Sequence, residues 1–156
     1  MGLADLANLG EAVGGFAVVL SLLYLTYELR TSTKALKAST ASQASQSWAA
    51  LNESLVHDPE LLALVDKFHS KDFQPSNFSK EELNRSALFC RVLMQKAESE
   101  YFLYESGIFP ENIWEKRVSL FRRWFELPGW KWWWKKEKKY SAYTDEFLQN
   151  IFLSAE

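Results

Sequence analysis

Histidines set beside carboxylates at helical spacing are the first residues here whose types could do chemistry. His57 follows Glu53 by four positions, and His69 follows Asp66 by three. On a helix each pair shares a face. Such pairs invite a metal, because ferritin-like bundles combine Glu-x-x-His motifs with further bridging glutamates. Neither pair has that motif, and no bridging glutamates can be assigned to them. His57 also precedes Asp58-Pro59, a helix end, where a cation complements the helix dipole. Cys90 is the single cysteine, which excludes an intramolecular disulfide and a cysteine-built metal site. On the apolar face of its helix it reads as a small core residue. Glu98, Glu100, Tyr101, Tyr104 and Glu105 cluster on one helix. They could line a ligand pocket, but a buried tyrosine bonded to a carboxylate is the commoner outcome. The chain has no Gly-rich phosphate loop, nucleophile elbow or zinc spacing. It is read as non-catalytic, with no cofactor and no metal.

A second group of residues carries physical chemistry of another kind. Residues 129–139 read GWKWWWKKEKK, with five lysines against one glutamate, a local charge of +4. On a helix at 100° per residue Trp130, Trp133 and Trp134 share one face. Lys131, Lys135, Lys138 and Lys139 share another, and Trp132 and Lys136 sit at the borders. Tryptophan at headgroup depth with lysine toward anionic phosphates describes an interfacial helix. A protein partner and a plain core are the competing readings. Four tryptophans within five residues point too many ways for one core face, so the membrane surface is the expected destination. Stacking and phosphate contact would also suit nucleic acid. The net charge of −2 and the acidic remainder argue against that partner.

Those residues need elements to position them, and the most informative element comes first. Leu6 to Tyr27 reads LANLGEAVGGFAVVLSLLYLTY, and no Lys or Arg precedes Arg30. About 22 residues of helix cover about 33 Å, enough for a hydrocarbon core of about 30 Å. Arg30, Lys34 and Lys37 follow the span while only Asp5 precedes it, which predicts a cytoplasmic C-terminal side. A cleaved signal peptide is disfavoured by the acidic start. A buried helix of a soluble bundle is the alternative. Within the span Gly10-x-x-x-Gly14, with Gly15, Ala17 and Ser21, offers a close-packing face for a second helix.

Gly and Pro are scarce, six and four, and strand signals are nearly absent. The first helix is expected to continue to about Val56, with Ala35, Ala38, Ser42, Ser45 and Ala49 as a stripe of small residues open to another helix. Asp58-Pro59 ends it and starts a short helix. Ser79-Lys-Glu-Glu82 is a capping box for a long helix that Gly107 stops. Its inward positions are Leu83, Ala87, Phe89 or Cys90, Leu93, Met94, Ala97, Tyr101 and Tyr104. Pro110 begins the next helix, with Ile113, Trp114, Val118, Phe121, Trp124 and Phe125 inward, and Pro128-Gly129 ends it. Residues 141–153 close the chain as an amphipathic helix. The expected fold is all-α, with a transmembrane anchor at 1–28, a helical extension at 29–57 and a cytoplasmic helical domain at 58–156.

The span followed by Glu28-Leu-Arg30-Thr-Ser-Thr-Lys34, then Asp58-Pro59-Glu60-Leu61, carries a resemblance. So do Glu98-x-x-Tyr101-x-x-Tyr104-x-x-Gly107 and the tryptophan after Pro128-Gly129. This layout resembles a group of uncharacterised bacterial proteins with one N-terminal anchor. The resemblance covers most of the chain and implies anchoring in a bacterial inner membrane and an all-α class, and it adds nothing about activity or substrate. The expected role is that of an accessory or assembly subunit of a membrane complex, or a homo-oligomeric scaffold, with membrane lipids and itself or a larger complex as partners. A membrane-tethered small-molecule sensor and a soluble helical-bundle interaction protein are the other two readings.

Overall fold

The computed structural model describes residues 2–139 and 143–153. Among these residues are six α-helices and no strand. The helices are α1 (Leu3–His57), α2 (Pro59–His69), α3 (Lys80–Glu105), α4 (Glu111–Phe125), α5 (Pro128–Glu137) and α6 (Asp145–Leu153), and a single 3-10 turn covers Pro75–Asn77. The chain divides into two units, Met1–Ser39 and Thr40–Glu156.

The first unit is the leading part of α1. Every side chain described in it is exposed. Gly10, Gly14 and Gly15 have open space where a Cβ would stand. α1 is long and apolar enough to cross a membrane, and its most apolar window has nothing packed on it.

The second unit is a helical core built largely from aromatic rings. Asp58 accepts a hydrogen bond from the Leu61 amide at 2.9 Å and Pro59 fills the first position of α2, so the chain restarts as a helix directly after α1 ends. Ser79 and Glu82 form the reciprocal capping box of α3. The other end of α3 is a Schellman stop. Gly107 has φ 69°, its amide donates to the Tyr104 carbonyl, and the Ile108 amide donates to Leu103. Buried between the helices are Phe68, Cys90, Leu93, Met94, Trp114, Phe121, Trp130, Trp133, Phe147 and Ile151. The inward positions expected for α3 and α4 are all buried or half-buried.

Two expectations need correction, the start of α6 and the lysines past α5. The small-residue stripe of α1, Ala35, Ala38, Ser42, Ser45 and Ala49, is exposed. The covered stripe is its neighbour, Ala41, Ala44, Trp48, Leu51 and Leu55, spaced alternately by three and four. One indole buries more apolar area than several methyls, so the stripe holding Trp48 turns inward. Helix α6 begins at Asp145, after Tyr143 and Thr144, while Ser141 and Ala142 lie outside the described residues. Lys138 and Lys139 follow the end of α5 and are not part of its face.

Candidate functional site

Each feature singled out by sequence has a definite place. From Val13 to Tyr27 the large apolar side chains are between 51% and 68% exposed. The aliphatic hydroxyls among them are satisfied within the helix: Ser21 donates to Ala17 O and Thr26 to Leu22 O, each at 2.8 Å.

The Trp–Lys segment is arranged differently from the interfacial expectation. Trp130 and Trp133 are core residues, 0% and 1% exposed, so neither is available to a headgroup layer. Trp130 stacks on Trp124 at 5.3 Å and meets Phe121 and Phe125 edge-on. The physical reason is that α2 and α4 present enough rings to receive the first face of α5, which the segment read alone could not reveal. Trp132 and Trp134 are half-buried, against Phe73 and Phe125 respectively. Lys131, Lys135, Lys136, Lys138 and Lys139 are all exposed. Lys131 pairs with Glu126, and Lys136 lies over the Trp132 ring at 4.2 Å. What α5 shows to solvent is therefore lysine and the edges of two indoles.

Two buried polar centres hold the second unit together. In the first, Glu100 is 3% exposed and accepts from Trp48 Nε1 at 2.5 Å and from Arg117 Nε at 2.8 Å. The Arg117 guanidinium also lies over the Trp48 ring at 3.8 Å. Lys96 donates to Ser47 Oγ on the same side, and burial lowers its pKa. Trp48 is the one buried residue among the described side chains of α1. Glu100 thus receives the residue by which α1 is fastened. Sequence placed Glu100 in a polar–aromatic cluster but did not find Trp48 or Arg117. The three-four spacing of the Trp48 stripe was the available signal. Of the other members of that cluster, Glu98 accepts from the Thr144 amide at 2.8 Å, while Tyr101 and Tyr104 pack against Trp114.

In the second centre, Trp130 Nε1 donates to His69 Nε2 at 2.9 Å, and His69 Nδ1 contacts Val65 O at 2.8 Å. This fixes the tautomer, with the proton on Nδ1 and Nε2 free to accept. Burial lowers the His69 pKa, opposed by its Val65 bond and by Asp66. The unfolded chain therefore takes up a proton near 6.5, the ordinary histidine value, while the folded protein resists until a lower pH. That part of the stability is complete above 6.5 and is lost as pH falls from there toward the folded-state pKa. Denaturant midpoints measured between pH 7 and pH 5 should fall, and His69→Gln should flatten that fall. An identical pH profile in the variant would refute the assignment. His57 and Glu53, the other pair, stand exposed 3.7 Å apart. Among the described residues no three His, Cys, Asp or Glu side chains gather as a metal site would require.

Burial is not fully matched by hydrogen bonding. Ser86 Oγ, Trp133 Nε1 and Thr144 Oγ1 are buried with no partner among the described residues. An orphaned buried donor costs about 1–3 kcal/mol. The surface of the second unit carries two open-sided clefts among its described residues. One, of about 440 Å³, lies beside Tyr104, Glu111, Trp114 and Arg122, and its Arg122 is already spent on the Asn150 and Ile151 carbonyls that end α6. The other, of about 400 Å³, runs between α3 and α5. No family model matches the chain, and no match was found among the curated proteins or the solved structures.

Proposed function

We propose that this chain is a non-catalytic single-pass membrane protein, with the leading part of α1, within residues 1–28, as its anchor and its C-terminal unit in the cytoplasm. In this reading it serves as an accessory or assembly subunit of a membrane complex, or as a homo-oligomeric scaffold. The observation that carries the reading is the bare apolar surface of α1. Burying one large apolar side chain is worth about 1.5–3 kcal/mol. Ten such side chains between Val13 and Tyr27 stand uncovered by any other part of the chain. A bilayer covers all of them at once, and an α-helix meets the requirement that every backbone polar group be satisfied internally. Arg30, Lys34 and Lys37 just beyond the span support the orientation. The Gly10, Gly14, Gly15, Ala17 and Ser21 face supports packing against a second membrane helix.

Fractionation tests the anchor. The full chain is expected to sediment with membranes and to resist alkaline carbonate. A tag after Glu156 should become accessible only once the cytoplasmic side is opened. Recovery in the soluble fraction without detergent would overturn the proposal.

A further inference from the structure

The cleft between the N-terminal half of α3 and the solvent side of α5 presents two lysines and an amide as its free polar side chains. Lys80 and Asn84 come from α3, and Lys136 comes from α5. Both lysines are exposed and neither has a carboxylate partner among the described residues. Leu83, Ala87 and Trp132 supply the apolar part of the lining. The carboxylate present, Glu137, is held by Arg91 through bonds of 2.8 and 2.9 Å, so its charge is already met.

Trp133 also lines this cleft, and its indole N–H is buried with no partner among the described residues. The three other buried indoles each have an acceptor. Trp48 donates to Glu100, Trp114 to Asn150 and Trp130 to His69. In a core where indole donors are otherwise satisfied, an orphan beside a cationic cleft marks the place of a missing acceptor.

We propose that the α3–α5 cleft binds a phosphate group carried on a small organic body. The two lysines come from different helices and carry a charge of +2, which a phosphate monoester at about −1.5 to −2 balances and a single carboxylate does not. Phosphate oxygens are spread tetrahedrally and can accept from both ammonium groups and the Asn84 amide together. About 400 Å³ is headgroup-sized, within the range of roughly 300–1,000 Å³ usual for ligand sites. The apolar part of the lining suits the carbon skeleton of a phosphate ester. A phospholipid headgroup and a soluble phosphate ester share this chemistry, and the site does not depend on how the chain is anchored.

The test follows the indole N–H resonance of Trp133 in the full chain, assigned by its loss in Trp133→Phe. One arm titrates glycerol phosphate into protein held in maltoside micelles. The other compares phosphatidylglycerol with phosphatidylcholine nanodiscs. A saturable shift with glycerol phosphate identifies a site open to soluble esters. A shift seen only in phosphatidylglycerol nanodiscs identifies a lipid headgroup. In either case Lys80→Gln with Lys136→Gln is expected to weaken binding at least tenfold. Trp133→Phe, followed by indole fluorescence, should weaken it several-fold without unfolding the unit. The proposal fails if neither arm moves the resonance, if potassium chloride at equal ionic strength moves it as far, or if the double lysine variant binds as the parent does.

Discussion

Glu100→Ala is expected to destabilise the helical unit by about 3–5 kcal/mol, the usual cost of breaking a buried pair from one side. The carboxylate is 3% exposed and receives two donors from different helices, Trp48 Nε1 of α1 and Arg117 Nε of α4. Its removal leaves the Arg117 guanidinium with little water and no counter-charge. It also leaves an indole N–H with no acceptor. Truncation to Ala adds a cavity beneath the Trp48 ring, which meets Phe121 edge-on at 6.4 Å. For a unit of this size 1 kcal/mol corresponds to about 4 °C in Tm, so the transition should fall by roughly 12–20 °C. Because Trp48 is the buried residue of α1, proteolysis should open the Thr40–His57 stretch before the rest of the unit.

The conservative variant separates charge from hydrogen bonding. Glu100→Gln keeps an oxygen for the Trp48 indole and removes the charge that faces Arg117, so its cost should be about half that of Ala. Replacing both partners, Glu100→Met with Arg117→Met, should recover much of the loss, since apolar pairs of similar volume often equal a buried ion pair. If Glu100→Ala shifts the denaturation midpoint by less than the equivalent of about 1 kcal/mol, Glu100 is not a buried anchor of the kind described.

The helices were legible because local chemistry writes their ends. Asp58-Pro59, Ser79 with Glu82, Ser106-Gly107 and Pro128 each act within four residues, and the structure uses all of them. The inward faces of α3 and α4 were legible for the same reason, since a 3.6-residue period needs no knowledge of the partner. What was not legible depends on partners distant in sequence. Trp48 lies 52 positions before Glu100, and Trp130 lies 61 after His69. Nothing beside either tryptophan announces the acceptor that fixes it. The same gap explains α5. Four tryptophans in five residues overload one face of a helix, but they do not overload an interior in which α2, α3, α4 and α6 approach from several sides. The lysines, which no core can accept unpaired, were correctly kept on the surface by their charge alone.

Gly129→Ala is expected to destabilise the helical unit clearly, though less than Glu100→Ala, even though it adds only one methyl. A Cβ at Gly129 would stand 2.3 Å from the Phe68 carbonyl oxygen and 3.2 Å from the Phe68 ring. The nearest atom belongs to the α2 backbone, so no rotamer change can move it away. Relief requires α5 to shift from α2, and overpacking of this kind costs about 1–3 kcal/mol, occasionally more. Helix propensity would favour the alanine by about 1 kcal/mol, so any observed loss understates the clash. Trp130 follows directly, and its 2.9 Å bond to His69 spans the same α2–α5 contact. Displacement should therefore raise the exposure of His69 and weaken the acid sensitivity described above, together with the near-ultraviolet signal of the stacked Trp124–Trp130 pair. Two other glycines separate causes. Gly107→Ala meets no atom within 4 Å but must hold φ 69°, so it should cost about 1 kcal/mol through the backbone alone. Gly14→Ala, also open on all sides, should leave the helical unit unchanged. If Gly129→Ala melts with Gly14→Ala rather than below Gly107→Ala, then α2 and α5 do not touch at Gly129 as closely as 2.3 Å requires.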